Sequence, residues 1–288
     1  MKVRNLVLSV LLLFVSSTVL GQLSATEQSW NQPVEPFKIA GNIYYVGASD
    51  LSSYLITTPK GHILLDSGLK ETVPLIRAGI EKLGFRVADI KYLINSHAHY
   101  DHAGGLGELR RLTGAKLVIS KGDAELLARG GRDDPNFSDR FPFEPTAADT
   151  SFQDGWKLKH GGVTLTANVT PGHTKGCTTW TTTVKEHAKR LNVIFVCSTT
   201  APGYALFKNE KYPDISRDFE ETFRRMTALK VDIFLSSHAS AFGMAAKVKN
   251  LRLRALPNPF IDPDGYLEYI ESTEKSFRRQ LEDQSGIK

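Results

Sequence analysis

Cysteine is scarce in this chain: Cys177 and Cys197 are the two cysteines among 288 residues. The segments that adjoin them, 177–184 and 191–197, have the pattern of a β-hairpin. A disulfide between adjacent strands is geometrically awkward, because the two Cβ atoms point in unsuitable directions. We therefore expect two buried thiols.

The sequence also lacks a block of Lys and Arg residues interleaved with aromatic residues. The formal net charge of +5 is mild, so the composition does not indicate a nucleic-acid partner and would modestly favour small anionic substrates. Low-complexity linkers and short-period repeats are missing as well. The length and the hydrophobic content of 41% predict a single domain with a sizeable core.

Long apolar runs are confined to residues 6–20, which follow the basic start Met1-Lys2-Val3-Arg4. A basic start, a short apolar stretch and the small residue Gly21 at its end are typical of a secretory signal peptide. We expect cleavage after residue 21 and a periplasmic or secreted single domain over residues 22–288. Gln22, not a cysteine, stands directly after Gly21, so a lipoprotein anchor is not expected. We also expect no stable membrane association after cleavage, and a monomer.

The remaining sequence alternates strand blocks with helices, twice. A β meander begins at residue 37, a helix is predicted at 72–83, and a strand at 90–96 precedes the most unusual segment of the chain. The segment 130–150, rich in Gly, Asp and Pro, is predicted to be a long loop that forms a rim over a pocket. The second half has strands at 157–169 and 177–197, then a helix, a strand and a C-terminal helix. This order predicts an α/β fold in which two mixed sheets pack face to face with helices outside, a four-layer αββα sandwich.

The unusual segment is His97-Ala98-His99-Tyr100-Asp101-His102, which places four metal-binding side chain types within six residues. It joins a buried strand to a helix, so His97, His99 and Asp101 can project together while a turn directs His102 elsewhere. One zinc ion seldom takes four ligands from six consecutive residues, because a regular tetrahedron then has little room. The run therefore predicts two metal ions.

Three further residues end strand-like runs, where loops converge in layered α/β folds. His173 follows a Pro-Gly turn, and His238 follows the run 231–237. Both are predicted to reach the Asp101 loop as additional ligands. Asp66, in the run Leu65-Asp66-Ser67-Gly68, either orients a metal-bound histidine through its second nitrogen or serves as a turn-forming residue.

These motifs, in this order, resemble the metallo-β-lactamase superfamily over nearly the whole chain after residue 21. Within that superfamily, the run 95–105, the run 197–203 and Pro257-Asn258-Pro259-Phe260 resemble subclass B3. The resemblance implies two zinc ions. One would be bound by His97, His99 and His173, and the other by Asp101, His102 and His238.

The resemblance also implies the reaction, which is hydrolysis of the amide bond of small-molecule β-lactams (penicillins, cephalosporins and carbapenems), a source of antibiotic resistance. A hydroxide held by zinc would attack the carbonyl without a covalent intermediate. Asp101 would steer the hydroxide or relay a proton, and the Tyr204 hydroxyl would polarise the carbonyl. Ser198 and Thr200 would bind the substrate carboxylate.

Several alternatives remain at this point. Lactonases and thioesterases of the same fold usually carry a metal-bridging aspartate at the strand end where this chain has Cys197-Ser198. Cys197 itself is a possible thiolate ligand. A mononuclear-iron oxidoreductase would need fewer than the six ligands available here. Two Ser-x-x-Lys matches, at Ser67 and Ser272, lack the companion motifs of serine β-lactamases, which excludes that chemistry.

Overall fold

The structure is a computed structural model that describes residues 23–286. The predicted signal peptide at residues 1–21 lies outside the described residues. Between residues 23 and 286, no helix combines the length and the apolar character that crossing a membrane requires.

Seven strands form the first sheet, and they follow one another in chain order. The first four strands are antiparallel, which confirms the predicted meander. The last three strands continue the sheet in parallel. The strands are β1 (Phe37–Ala40), β2 (Ile43–Tyr45), β3 (Tyr54–Ile56), β4 (His62–Leu65), β5 (Ile90–Ile94), β6 (Lys116–Ser120) and β7 (Thr150–Phe152).

Five strands form the second sheet, in the spatial order β12, β11, β10, β9, β8. β10 and β11 are the predicted hairpin, and β12 joins β11 in parallel. The strands are β8 (Lys157–His160), β9 (Val163–Val169), β10 (Thr178–Glu186), β11 (Lys189–Val196) and β12 (Ile233–Ser236).

Eight α-helices lie within the described residues. They are α1 (Ala25–Trp30), α2 (Val73–Lys82), α3 (Tyr100–Ala103), α4 (Leu106–Thr113), α5 (Lys121–Ala128), α6 (Ile215–Thr227), α7 (Met244–Arg252) and α8 (Pro263–Ser285). The sequence analysis did not predict α1 or α7. Neither helix has a stripe of buried apolar residues: α1 has no buried residue, and α7 buries Met244 alone.

The layers follow from which apolar faces meet. Buried residues of the two sheets, among them Tyr54 of β3, Trp180 of β10 and Phe195 of β11, form one shared core. The Tyr54 ring packs edge-on against Phe195, with 5.0 Å between the ring centroids.

The helices cover the outer faces of both sheets. Ile76 and Ile80 of α2 join Leu109 of α4 in a second core on the outer face of the first sheet. Phe223 of α6 packs against Phe277 of α8 on the other side of the molecule. The four-layer αββα sandwich is thus the observed fold.

The expectation of two buried thiols was wrong, because Cys177 and Cys197 form a disulfide. Cys177 precedes β10 and Cys197 follows β11, so both lie beyond the last paired positions of the hairpin, Trp180 and Phe195. The hydrogen-bonded ladder between β10 and β11 has ended at that point. The Cα atoms of Cys177 and Cys197 are 5.8 Å apart, a separation that a disulfide spans readily.

Candidate metal centre

The metal-binding run lies where strands of both sheets end. His97 and His99 follow β5 in extended backbone, and His99 is the residue that precedes α3. The short helix α3 then carries Asp101 and His102, so the backbone turns near Asp101, as predicted, but the Asp101 carboxylate lies beside His102 rather than projecting with His97 and His99 alone. The turn separates the side chains into two directions.

The second sheet supplies the remaining two histidines. His173 lies in the loop that links β9 to β10, and His238 follows β12. The backbone N–H of Ala239 donates to the carbonyl of Asp50, and Leu51 forms an isolated antiparallel β-bridge with His238. These contacts tie the loop that carries His238 to the turn after β2 in the first sheet. All six predicted ligands therefore meet at one edge of the sandwich.

Three histidines form the first cluster, which we call triad 1: His97, His99 and His173. Nδ1 of His99 lies 3.1 Å from Nε2 of His173. Potential ligand atoms of all three lie within 4.8 Å of one another. Nε2 of His97 is buried and has no hydrogen-bond partner among the described residues. A buried lone pair of this kind is costly unless it binds something, so triad 1 has the form of a metal site.

Asp101, His102 and His238 form the second cluster, triad 2. Nε2 of His102 lies 3.2 Å from Nε2 of His238. Oδ2 of Asp101 lies 3.3 Å from the former nitrogen and 3.4 Å from the latter. The triads are adjacent, since the rings of His97 and His102 have centroids 4.4 Å apart.

The histidines of triad 1 are held through the ring nitrogen that faces away from the cluster. Nδ1 of His173 lies 2.8 Å from the carbonyl oxygen of Thr200 and donates to it when protonated at that nitrogen. Nδ1 of His97 lies 3.0 Å from Oγ of Ser96. Nε2 of His99 lies 3.3 Å from a carboxylate oxygen of the buried Asp134. Such contacts fix the ring orientation of metal ligands.

The histidines of triad 2 have carboxylates at the corresponding nitrogen. Nδ1 of His238 lies 2.8 Å from Oδ2 of Asp50. Nδ1 of His102 lies 3.7 Å from Oδ2 of Asp66. The Oδ1 atom of Asp66 accepts the backbone N–H of Ser96 at 2.6 Å, which holds the start of the metal-binding run. Asp66 therefore pins the loop through a hydrogen bond, whereas its contact with His102 is longer than a hydrogen bond and is electrostatic.

Asp50 and Asp134 are functional candidates that the sequence analysis missed. Asp50 is in the turn after β2, and Asp134 is in the long loop between α5 and β7. Oδ1 of Asp134 accepts the backbone N–H groups of Asn136 and Phe137, both at 2.7 Å. Neither aspartate ends a predicted strand, and the available signal was only a carboxylate in a loop predicted to border the site.

Burial and neighbouring charges shift the pKa values of the cluster in opposite directions. Burial lowers the pKa of His97 well below its usual value, and it lowers the pKa of His173 to about 3. Burial also opposes the charged form of His238, but Asp101 and Asp50 outweigh it and raise the pKa of His238 to about 10. Triad 1 therefore contains two imidazoles that are neutral at pH 7, the form that binds metals.

The two carboxylates of the centre differ in the same way. Burial raises the pKa of Asp66 to about 6. Burial acts in that direction on Asp101 too, but the contact with His102 outweighs it and keeps the pKa of Asp101 well below its usual range. Imidazole nitrogens plus one carboxylate are a donor set that zinc accepts, so the residues present fit this metal.

The three predicted substrate-contacting residues lie beside triad 1. Oγ of Ser198 lies 3.1 Å from Oγ1 of Thr200, and Thr200 is exposed. Tyr204 is buried, and its hydroxyl lies 3.4 Å from Nδ1 of His173. This contact is on the side of the His173 ring that faces away from His99.

Cys197 lies close to the cluster but is not a free thiolate. Its Sγ atom is 3.5 Å from Nδ1 of His97. Because the sulfur is in the disulfide with Cys177, it supports the His97 ring rather than offering a ligand. The alternative of Cys197 as a metal ligand is thereby excluded.

Aromatic side chains border the two triads. The Phe137 ring lies 5.1 Å from that of His99 and 5.4 Å from that of Tyr204. The Trp30 ring, from α1, lies 5.6 Å from that of His238. Phe137 belongs to the loop that the sequence analysis predicted as a rim, so the rim prediction agrees with its position.

A sequence model of the metallo-β-lactamase superfamily matches residues 46–238, a span that includes all six predicted ligands. The chain belongs to this superfamily. Its αββα sandwich and the edge at which the ligands meet agree with that membership.

Solved structures place the resemblance more narrowly. The native FEZ-1 metallo-β-lactamase from Legionella gormanii is 41% identical with a TM-score of 0.87, covering 88% of this chain and 98% of that one. BJP-1, a subclass B3 metallo-β-lactamase of Bradyrhizobium japonicum, is 38% identical with a TM-score of 0.85 over 90% and 98%. The class B3 di-zinc enzyme LRA-12 from an Alaskan soil metagenome is 34% identical with a TM-score of 0.81 over 90% and 98%.

Curated relatives matched by sequence are more distant. The N-acyl homoserine lactonase AttM of Azorhizobium caulinodans is 29% identical over 43% of this chain and 56% of its own length. The human persulfide dioxygenase ETHE1 is 32% identical over 41% of this chain and 37% of its own. The chain thus spans about half the length, or less, of these relatives.

Proposed function

We propose that this protein is a zinc-dependent hydrolase that opens the amide bond of β-lactams: penicillins, cephalosporins and carbapenems. Two zinc ions would be bound, one by triad 1 and one by triad 2, and the reaction would proceed without a covalent intermediate. Antibiotic resistance would be the result in a cell that exports the protein. Triad 2 is the observation that carries the proposal.

Triad 2 offers three ligand atoms without a carboxylate that would bridge the two metal ions. At the end of β11, where lactonases and thioesterases of this fold usually carry an aspartate, the chain has the disulfide-bonded Cys197 and then Ser198. His102 and His238 complete the second site instead, with Nε2 atoms 3.2 Å apart. This arrangement, together with the B3 structures, favours β-lactams over the other substrates of the superfamily.

Zinc, when bound, supplies Lewis acidity and lowers the pKa of water. The chain's own groups would then direct the reaction. Asp101 stays ionised, because its contact with His102 outweighs burial and holds its pKa well below the usual range. Its carboxylate would therefore accept a hydrogen bond from the attacking water and steer it, and any proton it relays to the nitrogen that leaves the opened ring would be held only briefly, because so weak a base holds a proton poorly.

Substrate positioning is proposed for the hydroxyl groups beside triad 1. Ser198 and Thr200, with their oxygens 3.1 Å apart, would donate hydrogen bonds to the substrate carboxylate. Tyr204 would polarise the lactam carbonyl by leaving its contact with His173. The Phe137 ring would exclude water from one side of the site, which strengthens the polar interactions inside it.

The molecular setting is also a proposal. Residues 1–21 would be a cleaved signal peptide, and residues 22–288 would form one catalytic domain that is periplasmic or secreted. We propose a monomer that acts on small molecules and has no nucleic-acid partner.

The second candidate is an exported lactonase, favoured by the sequence match to N-acyl homoserine lactonases. A lactone carbonyl would meet the same two triads. The difference lies in the leaving atom, which is an alkoxide oxygen in a lactone and an amide nitrogen in a β-lactam. An iron-dependent oxidoreductase is less consistent with the six ligands, although ETHE1 matches part of the chain.

A substrate panel separates these functions. Zinc-loaded protein is assayed with a penicillin, a cephalosporin and a carbapenem beside an acyl homoserine lactone and a thioester. We expect β-lactam turnover that a chelator abolishes and added zinc restores. Lactone turnover without β-lactam turnover, at full zinc content, would move the assignment to the second candidate.

A further inference from the structure

Two leucines on one loop are the most exposed large apolar side chains of the described residues. Leu253 is 71% exposed and Leu256 is 88% exposed, whereas the next, Leu112 and Leu267, are 42% exposed. Both lie in the segment between α7 and α8. Single exposed leucines are ordinary, but two neighbouring ones form an apolar patch that suggests a contact surface.

A groove of about 510 Å³ lies beside these leucines. Its walls are the turn between β10 and β11 and the residues from the end of α7 to the start of α8. The apolar lining includes Leu191, Leu251, Pro257 and Ile261. The groove is therefore large enough and apolar enough to accept a hydrocarbon segment.

Cations surround the groove. Residues 239–261 contain no Asp or Glu. Lys189 and Arg254 line the groove, and Lys249 and Arg252 are exposed cations close to Leu253 along the chain. None of them forms a salt bridge to any residue between 23 and 286. Two carboxylates lie nearby: Glu186, which accepts the backbone N–H of Gly41 at 2.7 Å, and Glu35, which is paired with Lys82 and attracts Arg252. The cations outnumber them, so the face presents a net positive charge.

This face is far from the metal centre. The turn between β10 and β11 is at one end of the second sheet, and the disulfide beside His97 is at the other. β10 alone has nine residues, which corresponds to about 27 Å of strand. A surface bound to the groove would leave the two triads open to solution.

We propose that this face, which we call the basic leucine face, docks reversibly on an anionic phospholipid bilayer. Leu253 and Leu256 would enter the acyl region, and the groove would pack against a lipid chain. Lys189, Lys249, Arg252 and Arg254 would contact headgroup phosphates, which attract Lys and Arg near a membrane surface. A second copy of the chain fits poorly, because a symmetric contact would oppose these cations to themselves.

The inference does not depend on the proposed function. It does differ from the sequence-based expectation of no stable membrane association, since it assigns a reversible one. Vesicle co-sedimentation tests it with a chain of residues 22–288, which contains every described element and omits the apolar run 6–20. The vesicles are phosphatidylcholine alone or phosphatidylcholine with about one third phosphatidylglycerol.

We expect binding to the anionic vesicles and much weaker binding to the neutral ones. The double variant L253S/L256S should reduce binding at least tenfold, because each leucine contributes apolar area. The double variant K189Q/R254Q should reduce it about fivefold for each charge removed. The matched control L112S/L267S, with leucines exposed elsewhere, should bind like the wild type. All these residues are exposed, and thermal unfolding verifies that each variant folds.

Three results would overturn the proposal. Equal, weak sedimentation with both kinds of vesicle would remove the anionic partner. Strong sedimentation that L253S/L256S leaves unchanged would assign binding to another face. Concentration-dependent dimerisation that L253S/L256S abolishes, measured by light scattering, would assign the face to a second copy.

Discussion

The two triads both rely on histidine but differ in their charge and in the groups that support their rings. Triad 1 has three histidines, supported by the carbonyl of Thr200, the hydroxyl of Ser96 and one carboxylate, Asp134. Triad 2 contains a carboxylate of its own and is supported by two more, Asp50 and Asp66.

This difference between the triads implies that each would attract a metal cation in its own way. The lowered pKa values of His97 and His173 give triad 1 lone pairs that no proton occupies at pH 7. Triad 2 attracts a cation through negative charge, and in the absence of metal the raised pKa of His238 shows the same attraction acting on a proton. A metal bound at triad 2 would therefore displace a proton from His238, whereas His97 and His173 would bind one without losing a proton.

The largest expected effect comes from removing a ligand of triad 2. His238→Ala should lower β-lactam turnover by more than about 100-fold, because a metal held at triad 2 would stabilise charge that develops on the substrate in the transition state. It should also lower the zinc content from two per chain to one. Elemental analysis and steady-state kinetics measure both, with the exposed His187→Ala as the control. Full activity with one zinc would remove triad 2 from the mechanism.

Loss of the disulfide should affect stability more than chemistry. The double variant C177A/C197A opens a covalent loop between residues separated by 20 positions, which should cost about 3 kcal/mol of unfolding free energy. Denaturant unfolding of the zinc-loaded protein measures it. Since Cys197 contacts the ring of His97, a reduction in zinc affinity of triad 1 should accompany the change, and triad 2 should be unaffected.

The outer carboxylates allow the two triads to be weakened separately. Asp50→Asn should reduce zinc affinity at triad 2 by about 10- to 100-fold, because His238 loses the group that orients it. Asp134→Asn should do the same at triad 1 through His99. Chelator competition measures both affinities, and Asp133→Asn, an exposed neighbour paired with Lys211, is the control. Equal loss at both sites from either variant would contradict a separate support for each triad.

The smallest expected effect is that of Tyr204→Phe. Zinc shares the task of polarising the carbonyl, so the loss of the hydroxyl should lower kcat by about tenfold or less. KM should change little, because the hydroxyl is proposed to act on the carbonyl mainly in the transition state. An unchanged kcat would leave Tyr204 with its contact to His173 alone.

The fold and the ligand set were within reach of the sequence because they depend on local pattern. Strands with buried runs, such as β5, and helices with an apolar stripe, such as α2, follow directly from periodicity. The run from His97 to His102 is unusual enough to indicate two metals by itself. α7 has a single buried residue, Met244, and so gave no stripe to detect.

Contacts between loops that are distant along the chain could not be predicted from the sequence. Asp50 lies 188 positions from His238, and nothing in the turn after β2 indicates its partner. The disulfide prediction failed for a related reason. The rule for adjacent strands holds inside a ladder, whereas Cys177 and Cys197 lie just beyond its end.

The most direct test of the central claim combines metal content with turnover of a carbapenem on the same preparation of residues 22–288. We predict two zinc ions per chain, carbapenem hydrolysis that disappears when a chelator removes them, and recovery when zinc is returned. A chain that holds two zinc ions and hydrolyses no penicillin, cephalosporin or carbapenem would contradict the assignment of this site to β-lactams.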